Sequence, residues 1–235
     1  MIAFTSDIDW APEEIIDDTI SLFEEYGVKC TFFSTHNSKV LAAGSKELFE
    51  IAIHPDFNPI LNGTSNLRAI DVINAILDIH PDAKGVRSHS MLQSTNILQL
   101  FAEKKLIYEA NQFLPYHTGI KPFRLWNGLV RIPYNWEDDI HWTYGFDFKD
   151  SRIDLRDSGL NIFNFHPVHI FLNTENEKRY LSAKEFYKDP VNLKMQRNNE
   201  KTGARDLLIM LLEYVKKNSI ETKTLLEIAN EFAAQ

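Results

Sequence analysis

Short apolar runs alternate with amphipathic stretches along most of this chain, and that alternation constrains the fold more than any other feature. Ile2 to Ser6, "VKCTFFS" (28–34), "EIAIH" (50–54), "GVRSH" (85–89) and "LNIFNFHPVHI" (160–170) read as buried strands. Between them lie helical patterns. Pro12 suits a first helical position, and "EEIIDDTISLFEEYG" follows with apolar residues at Ile15, Ile16, Ile20 and Phe23 and a stop at Gly27. A short helix is expected through "SKELFE" (45–50). A longer one is expected in "TSNLRAIDVINAILDIHP" (64–81), capped by Thr64 or Ser65, and another in "STNILQLFAEKK" (94–105). Strands alternating with helices imply βαβ units and a parallel α/β sheet. The middle is less regular: "LIYEANQFL", "PFRLWNGLVRIP" and "HWTYGFDF" read as strands and aromatic loops without clear helices. Residues 1–235 form one expected domain, with a polar surface excursion over 173–203 and two closing helices in 204–235.

Polar residues collect at the carboxyl ends of these strands. Asp7 and Asp9 close the first, His54 the third, Arg87 the fourth and His166 the last. In a parallel α/β barrel those ends converge on one face, which carries the active site. Alternate residues of a strand point to one side, so Asp7 and Asp9 can address one point. Paired carboxylates at a dry mouth repel unless a cation or a proton separates them, which assigns metal binding to one and proton transfer to the other. The plain alternative is that one aspartate caps the helix beginning at Pro12.

Composition narrows the class. A net charge of −8 argues against a phosphate-tracking nucleic-acid surface. No run approaches the ~18 apolar residues of a membrane span. No secretory signal is visible, and Cys30, the single cysteine, excludes an internal disulfide; both point to a cytoplasmic setting. Cys30 sits in an apolar strand as an inert thiol, and the Asn62-Gly63-Thr64 glycosylation match reads as accidental.

"FTSDIDW", "GVKCTFF", "EIAIHPDFN", "GVRSHS" and "FNFHPVH", in this order, resemble the motifs of the polysaccharide deacetylases of carbohydrate esterase family 4, the NodB-homology group. Within it the chain is most similar to the WbmS-like branch, associated with O-antigen-type surface polysaccharides. The resemblance covers about the first 170 residues. It implies a distorted (β/α) barrel and metal-dependent hydrolysis of an N-acetyl, or other acyl, group on a sugar, a sugar nucleotide or an oligosaccharide. Asp7 would be the general base, Asp9 and His54 metal ligands, Arg87 the partner of the base and His166 the acid. His89 and Ser90 would face the substrate and its oxyanion, the Ser90 N–H as donor.

Three departures accompany the resemblance. Ile8 separates two aspartates that are usually adjacent. The usual second histidine is Asn58, a weaker ligand than imidazole, with Asp56 or His89 as substitute donors. The usual Pro-Tyr is His89-Ser90. Zinc is the expected ion, with cobalt or manganese as alternatives. His169 competes with His166 for the acid's role, and Asp147 or Asp150 is the expected carboxylate orienting it. Aromatic residues in "RLWNGLVRIPYNWEDDIHW" are candidates to stack on sugar rings. Two rivals remain: a non-catalytic carbohydrate-binding barrel that lost its metal through Asn58, and a glycoside hydrolase using two carboxylates.

Overall fold

The computed structural model describes residues 1–156 and 158–234. Nine strands form one sheet: β1 (Ile2–Asp7), β2 (Cys30–Ser34), β3 (Phe49–Ile53), β4 (Gly85–Val86), β5 (Tyr108–Glu109), β6 (Phe123–Arg124), β7 (Val130–Arg131), β8 (Trp136–Glu137) and β9 (Asn161–Phe165). Their order is β6-β7-β5-β4-β3-β2-β1-β9-β8, and only the β6–β7 pair is antiparallel. The sheet curls into a half-barrel of the NodB type. It stays open, because β6 and β8 are its two edges.

Strand β1 lies between β2 and β9 and is buried along its whole length, which is why it reads as a nearly continuous apolar run. Its two faces serve different cores. Phe4, Phe32 and Phe163 pack outward with Phe23 and the helices Glu13–Tyr26, Pro167–Leu172 and Ala204–Lys217. Ala3, Phe33, Ala52 and Ile162 face inward with Tyr108, Val130 and the helix Leu225–Ala233. The side-chain period of two therefore puts Thr5 and Asp7, Thr31 and Phe33, Glu50 and Ala52, and Ile162 and Asn164 on the inner face. Pairing of Thr5 with both Thr31 and Asn164, and of Asp7 with Phe33, stacks that interior in layers.

Local chemistry explains most element ends. Pro12 precedes the first helix, and Gly27 ends it in the left-handed region at φ 65°, where its N–H returns to Phe23 and Glu24 carbonyls. Gly85 has a steric reason: a Cβ there would meet the Tyr108 ring at 1.9 Å. Three expectations shift. The helix placed in "SKELFE" lies earlier, at Lys39–Ala43, because Ser38 caps it and β3 already begins at Phe49. The next helix starts at Ala69 with Arg68 as N-cap rather than Thr64 or Ser65; Asp71 accepts the Arg68 N–H, while Thr64 turns back to the Pro59 carbonyl. "HWTYGFDF" contributes to a helix, Asp138–Thr143, that follows β8 directly. Residues 173–203 carry two short helices, Glu177–Ala183 and Pro190–Met195. No helix among the described residues is long and apolar enough to cross a membrane.

Candidate active site

The site grows from the carboxyl end of β1. Asp7 ends the strand, 5% exposed, and its two oxygens have separate partners. Arg87 Nη1 donates to Oδ1 at 2.9 Å, and Asn164 Nδ2 donates to Oδ2 at 3.1 Å. The Arg87 guanidinium is buried between the Phe33 and Tyr134 rings, 4.3 and 4.1 Å from their centroids, with Nε on the Ala110 carbonyl. Burial opposes its charge, and Asp7 then restores it, so the pair is mutually required.

Asp9 reaches the site by a different route from the one expected. The strand stops at Asp7, and Asp9 and Trp10 sit in the left-handed region at φ 38° and 55°. A turn held by Tyr187 Oη on the Asp9 carbonyl (2.5 Å) and by Trp10 N–H on Thr35 Oγ1 (2.9 Å) presents the carboxylate. The 173–203 excursion supplies that tyrosine and thereby borders the site. Both aspartates still face one point: His54 Nε2 is 4.0 Å from Asp7 Oδ2 and 3.3 Å from Asp9 Oδ1.

His54 shows what belongs between them. Its Nδ1 lies 2.7 Å from the Arg87 carbonyl, which can only accept, so Nδ1 carries the hydrogen and the neutral ring has a bare lone pair on Nε2. That lone pair faces the Asp9 carboxylate. His89 Nδ1 completes a triangle, 3.3 Å from Asp9 Oδ1 and 3.4 Å from His54 Nε2. Asp9 Oδ1 is buried without a hydrogen-bond partner. A tetrahedral ion with ligand bonds of about 2.0–2.1 Å separates its donors by about 3.3 Å, so this triangle fits one face of a zinc-type site. The donor set suits such an ion, and Asp9, His54 and His89 are the residues that could hold it.

Asn58 stands outside this triangle. Its Nδ2 donates to Asp56 Oδ1 at 2.8 Å and to Ser90 Oγ at 3.3 Å, and no hydrogen bond joins it to Asp9 or His54 among the described residues. Of the three donors the sequence left open, Asn58, Asp56 and His89, it is His89 whose ring nitrogen lies beside Asp9 and His54, and Ser90 and Met91 after it adopt positive φ (55° and 54°). Asp56 pairs with Asn58 instead of reaching the cluster. Ser90 N–H forms no hydrogen bond among the described residues, leaving it available as a donor.

His166 ends β9 opposite this group, with Nε2 3.7 Å from Asp9 Oδ2. Asp138 orients it: one carboxylate oxygen is 2.7 Å from His166 Nδ1, and the other accepts its backbone N–H at 2.8 Å. Burial would depress the imidazole pKa, but the Asp138 charge and hydrogen bond hold it well above its ordinary value. Neither carboxylate expected in that role takes it. Asp147 accepts from Lys149 N–H and Asp150 from Arg152 N–H. The signal for Asp138 was the "EDD" run closing β8, a further acidic strand end beside β9. His169 is turned away, its Nδ1 on Thr174 Oγ1 and its ring against Trp142 and Tyr180. Of the aromatic candidates, Tyr134 and Trp136 are core and Trp126 is exposed; Trp10, which the sequence did not single out for this role, is 39% exposed, 5.1 Å from the His89 ring, and lines the mouth.

The two aspartates share one imidazole neighbour on the same side, an arrangement unsuited to carboxylates flanking a glycosidic bond. It suits hydrolysis of an acyl group, and the comparisons agree. The WbmS-like polysaccharide deacetylase model matches residues 4–184. A structure from Bordetella bronchiseptica, WbmS, described as a polysaccharide deacetylase involved in O-antigen biosynthesis, is 39% identical, with a TM-score of 0.85 over 91% of this chain and 90% of that one. Family 4 carbohydrate esterases from Streptomyces lividans (10% identity, TM-score 0.51, 92% and 88% covered) and Bacillus anthracis (12%, 0.53, 97% and 82%) share the fold. No curated protein matches in sequence. With the motifs, the half-barrel and the family match in agreement, this chain belongs to the WbmS-like polysaccharide deacetylases, hydrolases of amide bonds.

Proposed function

We propose that this chain removes the N-acetyl group from a sugar of a surface polysaccharide or of its nucleotide- or lipid-linked precursor, with a divalent ion, zinc by donor set, held by Asp9, His54 and His89. The observation that carries this reading is the near-equilateral triangle of bare donor atoms beside the ion-paired Asp7. The likeness to WbmS supports the polysaccharide setting. When bound, such an ion supplies Lewis acidity, lowering the pKa of water from 15.7 toward about 7 and polarising an acyl oxygen.

The chain's own residues do the rest. Asp7, oriented by Arg87 and Asn164, accepts the proton of the attacking water. The unpaired Ser90 N–H donates to the oxyanion that forms on the acyl oxygen, a contact typically worth about 3 kcal/mol. His166, kept protonated by Asp138, gives its Nε2 proton to the departing amine. The exposed Trp10 indole offers a face to the sugar ring.

The test is acetate release from N-acetylated sugar nucleotides and oligosaccharides by protein purified with zinc. The expected result is release that is abolished by chelation, restored by zinc, and lost in Asp7→Asn. Release that survives both chelation and Asp7→Asn overturns the reading.

A further inference from the structure

Glu137 is buried at the end of β8 and has no part in the chemistry above. Its Oε2 accepts two hydrogen bonds, from Tyr134 Oη at 2.7 Å and from Asn164 Nδ2 at 3.3 Å. Both donors lead to Asp7. Asn164 uses its other amide hydrogen on Asp7 Oδ2, while its own oxygen accepts from Thr5 Oγ1 (2.8 Å) and Arg87 Nη1 (2.7 Å). The Arg87 nitrogen can only donate, so this amide has a single permitted orientation. Tyr134 lays its ring over the Arg87 guanidinium. The two supports of Asp7 therefore both rest on one oxygen of Glu137.

The other side of Glu137 meets Asp139, and a carboxylate oxygen from each lies within 4.8 Å of the other and of a His166 ring nitrogen. Two carboxyls this close in a dry site repel, and a proton on one of them relieves that repulsion. Burial, followed by the Asp139 charge, pushes Glu137 well above the usual carboxylate range. The charged or titratable groups around it are Asp7 on β1, Arg87 after β4, Tyr134 before β8, Asp138 and Asp139 on the following helix, and His166 after β9.

We propose that Glu137 is a positioning residue that braces Asn164 and Tyr134 and thereby fixes the Asp7 carboxylate for catalysis. The role requires a good acceptor without full negative charge. A fully charged Glu137 draws the Asn164 amide toward itself, which lengthens the bond of its other hydrogen to Asp7 and loosens the base. This inference rests on the reading of Asp7 as the general base.

The experiment compares Glu137→Met, Glu137→Gln and wild type, each loaded with zinc and checked for metal content and melting temperature. Glu137→Met, which fills the space but accepts nothing, is expected to lower kcat about 30-fold with KM and metal content unchanged, in the range for a lost positioning contact. Glu137→Gln, which keeps a neutral acceptor, is expected to rescue kcat to within about threefold and to remove a decline in kcat that wild type shows on the alkaline side. The infrared carbonyl band of a protonated carboxylic acid should be present in wild type at neutral pH and diminished in Glu137→Gln. That band needs no substrate, so it separates the two readings. The band without any acetate release leaves a protonated Glu137 intact and counts against the reading of Asp7 as the base of a deacetylase. Acetate release with wild-type kcat in Glu137→Met, or with no Glu137-dependent band, overturns the positioning role.

Discussion

Two regions of the half-barrel interior, the layer of Glu50 and the mouth around Asp7 and Asp9, both bury acids, and they behave differently. In the lower layer Glu50 on β3 accepts from Thr31 Oγ1 (2.8 Å), Tyr108 Oη (2.6 Å) and the Leu226 N–H (2.9 Å). It is satisfied from three directions and ties the N-terminus of the helix Leu225–Ala233 to the sheet. In the upper layer Asp9 Oδ1 and Arg87 Nη2 are buried without hydrogen-bond partners, and a histidine lone pair faces a carboxylate. Both groups bury charge. Only the upper one leaves donors and acceptors aimed at something still to arrive. Burial of an acid thus marks structure or function according to whether its partners are complete.

The sharpest way to break this contrast is to neutralise one acid in each layer. Asp7→Asn should lower kcat for acetate release by about a thousandfold, the range of a lost general base, and also lower the melting temperature, because Arg87 stays buried without its counter-charge. Glu50→Gln should leave kcat unchanged. A comparable loss from both would erase the distinction. Asp138→Asn, measured in the same assay, should lower kcat by about a hundredfold with metal content unchanged, because His166 loses its orienting partner.

A smaller effect sharpens the upper layer. His89→Ala should weaken zinc affinity by at least tenfold in a chelator competition, whereas Asn58→Ala should stay within about twofold. Equal weakening would return Asn58 to the ligand set. In the lower layer Glu50→Ala should cost about 3 kcal/mol in denaturant unfolding, since it leaves the Tyr108 hydroxyl and the Leu226 N–H without their acceptor, with zinc content unchanged.

The smallest expected effect is a slope with pH. Burial raises the Glu50 pKa above 4.5, against the pull of its hydrogen bonds. The folded state then holds this proton at pH values where the unfolded chain has released it. Stability from Glu50 is therefore greatest below the unfolded pKa and falls as pH rises through the folded one. Unfolding of wild type and Glu50→Gln at several pH values should show that decline in wild type alone. Parallel curves would mean that Glu50 does not titrate on folding.

Much of the site was legible because its residues stand at strand ends. Asp7, His54, Arg87 and His166 were found from position, and the structure brings them together. The rest was not legible, for separate reasons. The family resemblance left Asn58, Asp56 and His89 open as the third donor, and only the fold sets His89 Nδ1 beside Asp9 and His54. Asp138 went unnoticed because β8 is two residues long and leaves almost no periodic signal, although its pairing with β9 sets the carboxylate beside His166. The "SKELFE" helix was misplaced because Ser38, a capping residue upstream, was not weighed.

The amino-acid order alone determined the parallel α/β plan, since apolar runs buried on both faces and amphipathic helices between them admit few other packings. It also determined which residues end the strands. Tertiary structure decided which donor atoms share a point, because backbone turns and cross-strand register set distances of 3–4 Å that spacing along a chain does not encode. The Asp9–His54–His89 triangle exists only because three loops from separate strands close over one mouth.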